Sequence, residues 1–512
     1  MSHLSKVFNK VPVKIQKRSG FDLSHENFFT ATTGTLTPCF VEEVLPGDKF
    51  SIGTAMQVKM PPMAVDFYGR IDAKLEFFFV PNRLVWGGWQ QFITESTNSG
   101  PNAESPVPSF FCPQIVAGGQ AALPGTLYDY LGFKTVSGSH PSISSVNYLP
   151  FGAYQKIWDD WYRDSLLQKP FFTEGVPTTA KAPGVKDMPH IVECKDFNGS
   201  DMGNDGVAIQ TLRQRNWAKD YFTSCTTRPQ NGAAASLTFS VTDTEGSFSI
   251  ASLRAANALQ KWLERNNLAG NRYYDQILAH FGVVPSDASV QRSLFLGSLT
   301  SPVIVNSVNQ TATSNSGSNS TNPFSTVGAS YGKVQCYEKG SLVKGFEAKE
   351  HGYIMGIFSL VPHANYSSGA RRHLISRRNN SDFAWPEFAG IGDQAVRVAE
   401  LNASAARGQD IFGYNQRYSE YKYHDDEVHG LLRDGTLASG ADSAVDLSPY
   451  ALQRYITGED VDISSAFIQI PTNFLDNQLA ATDKVSGYSC MVDCYFDVKA
   501  LRTLPEYSLP CL

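Results

Sequence analysis

Three stretches of the 512-residue chain carry side chains that could do bond chemistry. In the first, Asp159, Asp160 and Asp164 are threaded between Trp158, Trp161 and Tyr162, the mixture of carboxylates and rings of a glycosidase cleft. Two carboxylates divide acid and base roles only when they stand several ångströms apart across a substrate, and a helix would place Asp160 and Asp164 on one face as like charges. An amphipathic helix packing its tryptophans explains the same residues. The second stretch, His424-Asp425-Asp426-Glu427-Val428-His429, offers candidate metal ligands. Histidines five residues apart fall on opposite strand faces and on poorly matched helix faces, so a loop would have to wrap around the ion. A solvated acidic turn is the alternative. The third, Gly328-Ala329-Ser330-Tyr331-Gly332, matches GxSxG, but a polar loop precedes it where a nucleophile elbow needs an apolar strand. No P-loop string, HExxH or GxGxxG in a βαβ setting is present. The expectation is no enzyme, no metal and no cofactor.

Positive charge is a different matter. Arg371, Arg372, Arg377 and Arg378 form the densest basic run, with Phe383 and Trp385 close behind. Arginine forks for phosphate and an indole face for a base are the parts of a single-strand nucleic-acid contact. A subunit interface is enriched in the same residue types, and both readings stay open. Residues 1–20 hold Lys6, Lys10, Lys14, Lys17 and Arg18 with no acid among them, and 1–28 reads as a basic N-terminal arm.

These groups sit in a chain with 43 Lys plus Arg against 49 Asp plus Glu, net charge −6, with only 18% charged and 12% aromatic residues. Low charge with many rings indicates a folded chain with a large buried or interfacial area. An acidic total excludes a protein that coats nucleic acid with its whole surface, so any such contact must be local. No run approaches the 18 apolar residues of a membrane helix, and the N-terminus lacks an h-region. The eight cysteines are too sparse for a disulfide scaffold and fit a reduced compartment. Cys490 and Cys494 lie too far apart along a strand to bridge, and read as small core residues.

Strict alternation runs through Phe50, Ile52, Thr54, Met56, Val58 and Met60, then through Ile71, Ala73, Leu75, Phe77 and Phe79, predicting two half-buried strands. Strand character returns at 352–362, 466–471 and in a segment ending near Leu501. Between Pro81 and Thr300 helices are expected at 154–167, 252–270 and 271–282, and Ser, Thr, Asn and Gly make 311–330 an exposed loop. Strands at both ends with long excursions between them suit one antiparallel sandwich elaborated by its loops.

The blocks FFTATTGTLTPCFVEEVLPGDKFSI (28–52), LEFFFVPNRLVWGGWQQFIT (75–94), ALQKWLERNNLAGNRYYDQILAHFGV (258–283), SDFAWPEFAGIGDQAV (381–396) and NQRYSEYKYHDDEVHGLLR (415–433) occur in this order. In them the chain resembles the major capsid protein of microviruses, small icosahedral single-stranded DNA phages, of the gokushovirus-like branch. The resemblance implies a mainly β fold, an eight-stranded antiparallel jelly roll spanning 29–512 with partly helical insertions at about 81–300 and 363–460. It also implies a T=1 shell around circular single-stranded DNA, in a virion assembled in the bacterial cytoplasm. Implied partners are further copies of the chain, the genome, a small basic DNA-packaging protein, a scaffolding protein, a minor pilot protein and a host surface receptor, without membrane insertion. Only about two dozen residues, Cys225–Phe248, stand where relatives of that branch often carry the long insertion of a threefold protrusion, so a tall protrusion is not implied. A β-rich carbohydrate-active enzyme or receptor-binding protein is the alternative.

Because the side chains of 311–330 have little apolar area to bury, a short peptide tag inserted after Gly317 should leave soluble, assembled particles that an antibody to the tag can bind. Loss of assembly in the tagged chain would count against an exposed loop.

Overall fold

A computed structural model describes residues 18–61, 67–86, 124–134, 145–173, 209–229, 257–262, 273–283, 292–309, 330–390, 392–433, 450–454, 462–476 and 488–506, with shorter pieces between them. The framework strands are β1 (Ser19–Asp22), β2 (His25–Ala31), β3 (Thr37–Val44), β4 (Lys49–Lys59), β5 (Ile71–Pro81), β6 (Leu294–Pro302), β7 (Ile304–Asn309), β8 (Ser330–Glu347) and β9 (Gly352–Pro362). A short pair, β10 (Gln394–Arg397) and β11 (Ile411–Asn415), lies in the following insertion, and β12 (Cys490–Arg502) closes the framework. One sheet has six strands in the order β1-β12-β4-β8-β7, with β2 continuing β1 along β12; the other has four, β6-β5-β9-β3.

Every framework pairing is antiparallel, and the pairs are nested along the chain. β5 pairs with β6, β4 with β8, β3 with β9, and β2 with β12. A long hairpin rolled over so that successive strands pass between two sheets gives this pattern, which is the winding of a jelly roll. The sheets hold six and four strands because β1 and β7 extend the larger one at its two edges.

Alternation sets the faces. Phe50, Ile52, Thr54, Met56 and Val58 of β4 and Cys490, Val492, Cys494, Phe496 and Val498 of β12 all point into the sandwich. There the rings of Phe40, Phe77 and Phe496 meet at centroid distances of 5.1–6.1 Å, which ties β3 and β5 of one sheet to β12 of the other. The buried thiol of Cys39 is pushed well up, by burial first and then by neighbouring Cys494, so these cysteines are inert core residues.

The four-stranded sheet is covered on its second face as well. Helix α1 (Leu149–Ile157) and the π turn Trp158–Tyr162 lay Tyr154, Phe151 and Trp158 against Phe78, Val80, Met355 and Ile357. Every residue of β9 is therefore buried, whereas β12 keeps an exposed face. Gly152 permits this approach, since a Cβ there would lie 2.2 Å from Cγ1 of Val85.

Two expected elements differ. The helix expected at 154–167 starts at Leu149, because Pro150 occupies its first turn, where no N–H is needed, and it ends in the π turn. The strand expected at 466–471 is instead one helical turn, α3 (Ser465–Ile468), whose N-cap Ser464 Oγ accepts the N–H of Phe467 at 3.3 Å. The expected helix at 271–282 is α2 (Tyr273–Phe281), and 257–262 is helical within the expected 252–270. Of the segment read as an arm, Ser19 onward joins the six-stranded sheet, while 1–17 and most of the 311–330 loop lie outside the described residues. No helix among the described residues is long and apolar enough to cross a membrane.

Phe496→Ala would leave a void where three rings meet and should destabilise the chain by about 3–5 kcal/mol, read as a shift of the denaturant midpoint. A loss under about 1 kcal/mol would mean that the ring cluster does not hold the sheets together.

Candidate nucleic-acid interface

The arginine run lies in the insertion after β9. Arg372–Ile375 form a single helical turn, and the chain then folds back through Asn380–Asp382 and Pro386–Phe388. Asp382 fixes the first bend, its Oδ2 accepting the N–H groups of Arg378 at 2.9 Å and Asn379 at 2.7 Å. The approach is close enough that a Cβ on Gly369 would lie 1.9 Å from the carbonyl oxygen of Glu400.

Three of the four arginines are consumed by carboxylates of the same chain. Arg371 donates from Nε and Nη2 to both oxygens of Glu427, at 2.7 and 2.6 Å. Arg372 donates from Nη1 to Glu400 Oε1 and to the carbonyl of Ala395, both at 2.8 Å, and its Nε stands 3.6 Å from Glu420. Arg377 donates from Nη2 to Glu420 Oε1 at 2.8 Å and to the Tyr421 hydroxyl at 3.2 Å. Burial works against the Glu420 carboxylate, but hydrogen bonds from Gln394 and Arg377 outweigh it and hold its pKa below the ordinary value. Glu427 is lowered chiefly by Arg371.

Arg378 is exposed and has no ion pair among the described residues. Trp385, seven residues further along the chain, is 48% exposed, and its indole N–H is anchored to the carbonyl of Asn380 at 2.9 Å. Phe383 and Leu374 are also open, at 52% and 73%. Arg18 makes one exposed ion pair, with Glu347 at 3.4 Å; Lys6, Lys10, Lys14 and Lys17 lie outside the described residues. Of the partners, Glu400 and Glu420 were not singled out from sequence and Glu427 only as a candidate metal ligand, although the acid-rich run 420–427 is the charge complement of the arginine run and signals Glu420 and Glu427.

The other chemical candidates are placed in structural roles. Asp159 pairs with Arg163 at 2.5 Å, Asp160 with Lys156 at 3.0 Å, and Asp164 with Lys219 at 2.5 Å. Asp160 Oδ2 also accepts from the N–H and hydroxyl of Ser293, both at 2.8 Å, which clamps the π turn to the start of β6. Ser330 opens β8 opposite Asn309 and is followed by strand, which is not the strand-turn-helix of a nucleophile elbow. Asp426–Glu427 pair in parallel with Asn365–Tyr366, and His429 Nε2 lies 3.0 Å from Glu427. No group of three His, Cys, Asp or Glu among the described residues is arranged to hold a metal ion.

A two-sheet roll whose ionic groups mostly brace its own insertions defines a structural β protein of the viral coat type. The chain belongs to the phage capsid protein (F protein) family, whose model matches residues 9–244 and 239–512. It is similar to the VP1 capsid protein of Chlamydia phage 1, 28% identical over 99% of this chain and 97% of the relative. It is likewise similar to the VP1 capsid proteins of Bdellovibrio phage phiMH2K, 27% identical over 99% and 98%, and of Spiroplasma virus 4, 24% identical over 97% and 95%. The chain is thus a structural, non-enzymatic capsid protein and a component of the virion.

Glu420→Ala would leave Arg372 and Arg377 without their shared acceptor and should cost about 3 kcal/mol of stability, whereas Arg378→Ala should cost less than about 0.5 kcal/mol. Thermal melts of the two variants measured side by side check this ordering, and equal losses would refute it.

Proposed function

We propose that this capsid protein, as a single jelly-roll domain that takes in the strands from Ser19 onward behind a basic arm, builds a T=1 icosahedral shell around a circular single-stranded DNA genome. The observation that carries the reading is the nested two-sheet roll in a chain similar over nearly its whole length to phage capsid proteins. Negative-stain microscopy of material made with this chain tests it: closed isometric particles are expected, and a persistent monomer would overturn it. A small basic packaging protein, a scaffolding protein, a pilot protein and a host receptor are the further partners of this reading.

Genome contact is assigned to Lys6, Lys10, Lys14, Lys17 and Arg18 of the arm and to the open end of the arginine run, Arg378 with Trp385. The exposure of Arg378 and of the Trp385 face supports the second site. Arg371, Arg372 and Arg377 position it from behind, since their forks are already occupied.

Particles carrying Arg378→Gln with Trp385→Ala should assemble normally but retain less DNA, seen as a lower ratio of absorbance at the nucleic-acid and protein bands; stacking on one indole is worth about 1–3 kcal/mol per base. Arg372→Gln with Arg377→Gln should instead reduce the yield of folded subunit. Full DNA content in the first variant, or rapid protease removal of the arm from unopened particles, would overturn these assignments.

A further inference from the structure

Where the acid-rich run folds against residues 209–229, the carboxyl of Asp425 comes within the field of the Asp220 carboxylate. Asp220 is held as an acceptor on both of its oxygens. Its Oδ1 takes the N–H groups of Phe222 and Thr223 at 2.9 and 2.7 Å and the Thr223 hydroxyl at 2.9 Å, and its Oδ2 takes the Tyr366 hydroxyl at 2.7 Å. The Tyr366 oxygen in turn accepts from Arg454 Nη1 at 3.1 Å. Asp425 reaches the same place from the opposite side, because Asn365–Tyr366 and Asp426–Glu427 pair as strands and the Val428 N–H donates to the Tyr366 carbonyl at 3.0 Å. It lines a cavity of about 660 Å³ shared by the two segments. Its Oδ1 is buried with no hydrogen-bond partner. Of the guanidinium groups lining that cavity, Arg371, Arg372 and Arg377 are engaged by Glu427, Glu400 and Glu420, and Arg433 has no ion pair among the described residues, while Arg454 is engaged by Tyr366 and the Phe467 carbonyl.

We propose that Asp425 and Asp220 are a carboxyl pair that carries a single negative charge in the fastened state, so that the 420–433 segment grips the 209–229 segment in mild acid and loosens as the medium approaches neutrality. A bare, buried carboxylate oxygen in the field of a second carboxylate is costly, and the neutral acid is less so.

The titration runs in the direction this requires. Burial first, then the charge of Asp220, outweighs the Tyr221 N–H and pushes Asp425 up to about 7, with Glu427 and Asp426 of its own segment adding to the effect. From the 209–229 side Cys225 faces this charge, backed by Glu400 and opposed by Lys219, and from the third segment Tyr366 with Arg454. Tyr423, His424, His429 and Arg433 line the cavity from the acid-rich segment and His373 from the arginine run. A raised carboxyl pKa contributes stability that is whole below the unfolded value, 3.8, and is lost as pH rises through about 7. Glu420 and Glu427, which are lowered, weaken only below the ordinary glutamate value, so their effect has the opposite sign and a lower window. Since Glu427 holds Arg371, release of this segment also slackens the arginine run.

Hydrogen exchange of the full-length chain tests the pair at pH values from about 5 to about 8. Amide protection factors of 423–428 should fall by up to tenfold per pH unit toward neutrality and level off above about pH 7. Asp425→Asn, or the smaller Asp425→Ser should the first not fold, should abolish the fall and leave the segment more protected at about pH 8. A flat profile in the unaltered chain would overturn the proposal. So would the same fall in the variant, which would transfer the effect to His424 and His429. The exchange profile reads the segment itself, so it stands apart from whether particles form.

Discussion

The constraint on which the molecule depends is that the four-stranded sheet must be buried on both faces. Its inner face packs on the six-stranded sheet through Phe40, Phe77 and Phe496, and its outer face needs Tyr154, Phe151 and Trp158 from the insertion between β5 and β6. That insertion cannot be a passive surface loop. It supplies half of the shielding for β9, a strand with no exposed residue, so the roll and its insertion must fold as one unit. The π turn at Trp158–Tyr162 follows from this: one wider turn keeps Trp158 and Tyr162 on the sheet while Asp160 reaches Ser293 at the mouth of β6.

Such double burial concentrates ion pairs where they are well sheltered. Glu76 on β5 accepts from Arg215 and from the Tyr162 hydroxyl, both at 2.6 Å, and the Arg215 guanidinium lies 5.1 Å from the Tyr162 ring centroid. A buried charge group of this kind adds little net stability against apolar residues of the same volume, but removing one member strands the others. It fixes which part of the 209–229 segment lies over the sheet. The arginines of the later insertion act likewise, joining the 371–378 turn to the β10 region and to the acid-rich run.

Much of the framework was legible because a sheet with one wet face writes itself as period two. Phe50 to Met60, Ile71 to Phe79 and Tyr488 to Val498 alternate, and the structure buries the predicted faces. The unbroken apolar run GYIMGIFSLVP was legible as a strand, but its lack of alternation also signals a sheet covered on both sides. The segment 466–471 was misread because AFIQIP has the alternation of a strand, while the Ser464 cap winds Ser465–Ile468 into one helical turn and strand pairing is confined to a bridge between Gln469 and Asn216. The arginine run was legible as charge but not as geometry. Its acceptors Glu400, Glu420 and Glu427 are 28 to 56 residues away, and nothing local states which acid closes on which guanidinium.

A chain with few charges that spends them on itself has little left to face a polyanion. Once Arg371, Arg372 and Arg377 are neutralised within the subunit, the cluster is a brace with one open end, and Arg378 alone among its four arginines keeps an unpaired guanidinium among the described residues. On the proposed reading, the cluster's attraction to phosphate then rests on Arg378, and residues 1–20, which carry no acid, add a second source of positive charge. Weak, distributed contact suits a shell that must enclose any sequence without reading it: stacking on an open indole is tolerant of base identity, and short-range ion pairs to phosphate are tolerant of register. The same internal pairing braces the insertion with carboxylates of its own chain, so on that reading its shape needs no phosphate as counter-charge.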